Sequence, residues 1–168
     1  MPPVRLVHRQ AVSAWPLVLA AVWLTGCGGE EPRPDVQEQI ARLQSGADGD
    51  RYEALSHLQT LGPEGREAAG DLKKLLKGAK DDDLAAEIAK TLGSMGQAGA
   101  VAVPELTALL GRKAMWPRYA AVEALGRMGP AAKSALPSVL KLTRDPDRDV
   151  AAAAREAARR LQRSGTTK

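Results

Sequence analysis

A chain of 168 residues is long enough for one ordinary domain, and with no Phe, three Trp and two Tyr it must build its core from Leu, Ala, Val and Ile. Such alanine-rich, aromatic-poor sequence favours helix, and no alternating β-branched run or strand-flanked Asp-Gly turn argues for a sheet, so the expected fold class is all-α. The formal net charge of +4 falls to +2 once Arg5 and Arg9 are set aside with a cleaved leader, a balance that gives no ground for a nucleic-acid partner.

The amino terminus reads as an address. "MPPVRLVHRQ" carries two arginines and no acid, and "AVSAWPLVLAAVWL" (11–24) carries no charge. That apolar run is short for a membrane span and is interrupted by Pro16, so residues 1–26 are expected to be a signal peptide. "LTGC" (24–27) ends the segment and resembles the lipobox of bacterial lipoproteins. The resemblance implies cleavage before Cys27 and acylation of its thiol and new amino group. Cys27 is the only cysteine, so it has no internal disulfide partner, and several acyl chains bind a bilayer firmly where one binds marginally. Gly28 follows where some lipoproteins carry Asp, which points to the outer rather than the inner membrane. Residues 27–35, Gly-, Pro- and Glu-rich, read as a tether.

Val36, Ile40 and Leu43 have helical spacing, and residues 36–49 are expected to form a half-repeat that caps one end of an array. The array comes next. Gly62, Gly96 and Gly129 end similar segments 34 and 33 residues apart, and a fainter copy reaches Gly165. Leu58, Leu92 and Leu125 coincide before the glycine; Leu72, Leu106 and Val139 coincide after it. Each unit is expected to be helix, turn, helix: glycine ends the first helix cheaply, and Pro104 and Pro137 open the second where a missing N–H costs little. The expected units are 50–82, 83–116, 117–146 and a partial 147–163, with 164–168 a tail. Asp50, Asp83 and Asp149 are expected to cap the helices after the polar turns. Metal ligation by Asp81, Asp82 and Asp83 is disfavoured, because calcium loops interleave their ligands with Gly and end on a bidentate Glu.

"RYAAVEALGRMGPAAKSALPSVLKL" and its copies resemble HEAT repeats of the short bacterial, PBS-lyase-like kind. The resemblance covers about residues 50–163 and implies a short α-solenoid, with the first helices outermost and the second helices lining the concave side. The unit length also suits tetratricopeptide repeats, but their aromatic positions are missing and the early prolines fit HEAT better. Some relatives attach bilins to partner proteins inside the cell. The export signal and the lack of a candidate nucleophile argue against that chemistry: outside the leader the only histidine is His57, and no zinc cluster or phosphate loop is present. No catalytic residue, cofactor or metal is expected. A protein scaffold or adaptor in the cell envelope is the expected role; an enzyme subunit and a purely structural envelope part are the alternatives.

Two partner-binding surfaces stand out. Lys74, Lys77, Lys141 and Arg144 recur at matching positions of the second helices and form a discontinuous basic strip, for which ordinary solvation is the competing account. "MWPRY" places Trp116, Arg118 and Tyr119 together in a turn, with Tyr52 at the repeat position equivalent to Tyr119. These are residue types enriched at binding hot spots. The competing account has Trp116 covering the joint between two units.

Overall fold

The structure is a computed structural model that describes residues 34–163 except residue 46. The expected signal peptide, Cys27, the first part of the tether and the tail with Gly165 lie outside the described residues. Every regular element among the described residues is helical, as the composition demands. The α-helices are α1 (Pro34–Ser45), α2 (Asp48–Leu61), α3 (Ala69–Gly78), α4 (Asp82–Ser94), α5 (Val103–Leu109), α6 (Met115–Met128), α7 (Leu136–Leu142) and α8 (Arg148–Gln162).

The glycines end the first helices as expected. Gly62, Gly96 and Gly129 are the described residues with positive φ, at 55°, 58° and 55°. At Gly62 and Gly129 ψ is near −125°, outside the left-handed helical well and open in practice to glycine alone. The connection to the second helix is more than a simple turn. Seven residues of 3-10 helix (Gly62–Ala68, Gly96–Ala102, Gly129–Ala135) precede α3, α5 and α7. Pro104 and Pro137 sit in the first turn of α5 and α7, where no intrahelical N–H is needed.

The helix caps differ from expectation. The N-cap positions are 47, 81, 114 and 147, two or three residues before the expected Asp50, Asp83 and Asp149. The Asp81 carboxylate accepts from the Leu84 N–H at 2.7 Å, and Asp147 accepts from the amides of Asp149 and Val150. Ala47 and Ala114 offer no side-chain cap. Asp50, Asp83 and Asp149 stand instead in the first turn, where a negative charge still suits the helix dipole.

The core is one continuous cluster of Leu, Ala, Val, Ile and Met, among them Leu58, Leu92 and Leu125 and, in the second helices, Leu72, Leu106 and Val139. The first helices α4, α6 and α8 lie against one another in a close layer, whereas α5 and α7 scarcely touch. Glycine makes this closeness possible. A Cβ on Gly93 would lie 2.8 Å from the Ala124 Cα, and one on Gly126 would lie 3.1 Å from the Ala157 Cα. The first helices thus form one face of the stack, and the 3-10 segments with the second helices form the other.

Candidate functional site

The first-helix face carries two grooves with a common border. One, of about 470 Å³, runs between α6 and α8 and is lined by Trp116, Tyr119, Glu123, Asp149 and Ala152 among others. The second, of about 240 Å³, runs between α2 and α4 and is lined by Tyr52, Asp83, Ala86, Glu87 and Lys90, with Trp116 from α6 at its far wall. They are copies of one feature. Tyr52, Asp83 and Ala86 of the second groove correspond to Tyr119, Asp149 and Ala152 of the first, 66 or 67 residues on. In each, a tyrosine faces the equivalent alanine of the next unit. A small residue opposite a large one leaves the space that forms the groove.

Trp116 lies in the first turn of α6 rather than in a turn between units. It is 56% exposed and meets Tyr119 edge-to-face, with ring centroids 6.1 Å apart. A tryptophan that open is not buried cover for a joint. Burial, followed by the charges of Asp81 and Asp83, raises the Tyr52 hydroxyl above its ordinary pKa. Burial and then the charges of Glu123 and Asp149 do the same to Tyr119. Both tyrosines thus stand in a negative field. Burial pushes the Glu87 carboxyl up, but hydrogen bonds from Lys90 and Gln59 outweigh it and hold the group below its ordinary value.

Arg118, expected beside Trp116 as a contact residue, is turned inward. Its guanidinium forms a two-pronged pair with Asp145, at 3.0 Å and 2.7 Å. It also donates to the carbonyls of Arg112, Lys113 and Ala114. With the Arg118 side chain 11% exposed and that of Asp145 7%, this is a buried clip joining two inter-unit turns. The Arg118 guanidinium holds the Asp145 carboxyl below the usual carboxylate range, against the opposing effect of burial. The guanidinium geometry suits such bidentate pairing, and it leaves little of the side chain for a partner.

The basic strip stands on the second helices, away from the two grooves. Lys74 and Lys77 are exposed on α3, Lys141 is exposed on α7 and Arg144 lies in the turn beyond it. Lys74 pairs with Asp71 at 3.1 Å, and the neighbouring Lys73 reaches Glu105 at 3.8 Å. His57 is an exposed residue of α2. The acids at 81–83 have structural work: Asp81 caps α4, and Asp82 receives Arg112 at 2.8 Å. Among the described residues there is no group of His, Cys, Asp and Glu that could hold a metal ion, and no helix long and apolar enough to cross a membrane. The groove-forming Ala86 and Ala152 escaped sequence reasoning; the signal was the alternation of Tyr and Ala at one repeat position.

A stack of helical hairpins with an open first-helix face defines a helical-repeat scaffold. A family model described as HEAT repeats matches residues 70–159, more than half of the chain, and the chain belongs to the HEAT-repeat family. Among solved structures it is similar to an engineered protein, at 21% identity and a TM-score of 0.64 over 77% of this chain and 63% of that one. The chain thus spans under two thirds of that protein's length. A second similar structure is the complex of CpcE and CpcF of phycocyanin lyase from Nostoc sp. PCC7120, at 24% identity and a TM-score of 0.39, over 83% of this chain and 69% of that one. No curated protein sequence matches the chain.

Proposed function

We propose that this chain is an exported lipoprotein, anchored through acyl groups on Cys27 at the outer membrane of a bacterium. Its HEAT stack serves there as an adaptor that holds a protein partner on the first-helix face. The observation that carries the binding half is the exposed Trp116, which borders both grooves and meets the half-buried Tyr119 edge-to-face. Solenoids present such surfaces strip by strip, and clustered aromatics that remain open to solvent are the usual anchors of an interface. The lipobox-like "LTGC" carries the anchoring half.

The test is in-cell crosslinking and affinity purification of the full-length chain beside a Cys27→Ala version, with metabolic labelling by an alkyne fatty acid. Label on the parent chain alone, together with a near-stoichiometric partner lost from Cys27→Ala, supports a membrane-bound adaptor. Absence of label overturns the anchor. A labelled chain without any reproducible partner moves the weight to a purely structural envelope part.

A further inference from the structure

The first-helix face is built as a repeated acidic-aromatic slot. The cations that line the grooves are already committed: Lys90 pairs with Glu87 at 2.6 Å, and Arg160 with Glu156 at 3.0 Å. Asp83, Glu123 and Asp149 form no ion pair with a described side chain. Each groove thus joins an aromatic ring to a carboxylate outside any ion pair among the described residues, the combination that favours a guanidinium or ammonium group over an apolar or acidic one.

We infer that the two grooves together bind one extended protein segment carrying two Lys or Arg side chains, one for each groove. This rests on the reading of the first-helix face as the partner-binding surface. The shared Trp116 argues for one ligand rather than two, because it walls both grooves and leaves no separate surface between them. The spacing is set by the fold. Equivalent points two units apart along packed helices are separated by about 16–20 Å. An extended chain advances roughly 3.3 Å per residue, so the two cations stand about five or six residues apart. One side chain reaches Tyr119 and Asp149, the other Tyr52 and Asp83, and the backbone between them crosses Trp116. The basic strip of Lys74, Lys77, Lys141 and Arg144 faces the other way and leaves this segment unopposed.

The experiment places a photo-crosslinking amino acid at position 116 of the full-length chain in cells, and in a second strain at position 77 on the second-helix face. The partner residues captured are mapped by mass spectrometry. The expected result is capture from position 116 of a segment with two basic residues five or six apart. The double variant Asp83→Lys/Asp149→Lys, both surface positions, should lower that capture about tenfold, the factor for loss of roughly 1.4 kcal/mol of contact. Reversing the two basic residues of the captured segment to Glu should restore it. Capture from 116 of a segment without paired cations, or capture indifferent to the Lys variants, overturns this inference while the adaptor reading stands. Capture from position 77 alone overturns both.

Discussion

The joint between α2 and α4 and the two joints after it occupy the same repeat position and are built from opposite materials. At α4–α6 and α6–α8 the facing residues are Gly93 with Ala124 and Gly126 with Ala157, and the backbones nearly touch. At α2–α4 the equivalent residues are Gln59 and Thr91. There Gln59 Nε2 donates to Thr91 Oγ1 and to Glu87 Oε2, both at 3.1 Å, so the seam is polar and spaced by an amide. The arginines divide in the same way. Arg118 is fully engaged on Asp145 and three carbonyls, whereas its counterpart Arg51 reaches Asp48 at 3.3 Å and leaves its buried Nε without a partner. Asp145 lies 67 residues beyond Gly78, which has no carboxylate to offer Arg51. The lesson is that a repeat specifies a path for the backbone, while the strength of each joint is set unit by unit by a few side chains.

That contrast can be broken at its strongest point first. Arg118→Ala leaves the Asp145 carboxylate buried and unpaired, and is expected to destabilise by about 3–5 kcal/mol, as removal of one partner of a buried pair does. Arg51→Ala is expected to cost about 1 kcal/mol or less. Urea unfolding of the full-length chain and both variants checks the difference; equal losses would mean that the clip does not distinguish the two regions. Next comes Gly93→Leu. Its Cβ has no room against the Ala124 backbone, so α4 and α6 must separate, at a cost of about 3 kcal/mol. Gln59→Leu, at the equivalent but looser seam, is expected to cost nearer 1 kcal/mol, mainly from the hydrogen bonds lost to Glu87 and Thr91. Thermal melts followed by circular dichroism rank the two, and a Gln59 variant as damaging as the Gly93 one would erase the distinction.

The smallest effect is a matter of pH. Because Asp145 has a lowered pKa in the folded chain, its clip contributes fully above the ordinary carboxylate value of about 3.9. The contribution declines as pH falls below that value toward the depressed one. Between pH 5 and pH 3 the parent chain should therefore lose more stability than Asp145→Asn, measured by denaturant midpoints. Parallel pH profiles would show that the carboxylate is not what Arg118 responds to.

Much of the fold was legible because a 33- to 34-residue repeat of Leu and Gly can be read without knowing any contact. Other features depended on geometry that the repeat does not encode. "DDD" at 81–83 offers three caps, and only the position of the Leu84 amide selects Asp81. Gly-Pro announces a break but not the 3-10 helix that fills it. The close packing of α4, α6 and α8 arises at Gly93 and Gly126, glycines inside helices that read as weak points until their neighbours are known. At the site, Trp116, Tyr119 and Tyr52 were legible as residue types. Arg118 was misplaced because its true partner stands 27 residues away in another turn.

The alternation of tyrosine and alanine along the first-helix layer gives the array a phase. Tyr52, Ala86, Tyr119 and Ala152 occupy one position in four successive units, so the chain counts its grooves in pairs of units. Lengthening such an array by two units would print another slot in register with the first two, and a ligand could gain a contact for every pair added. Lengthening it by one would set tyrosine beside tyrosine or alanine beside alanine, closing a slot or flattening it. The stack behaves as a ruler whose graduation is twice its building block.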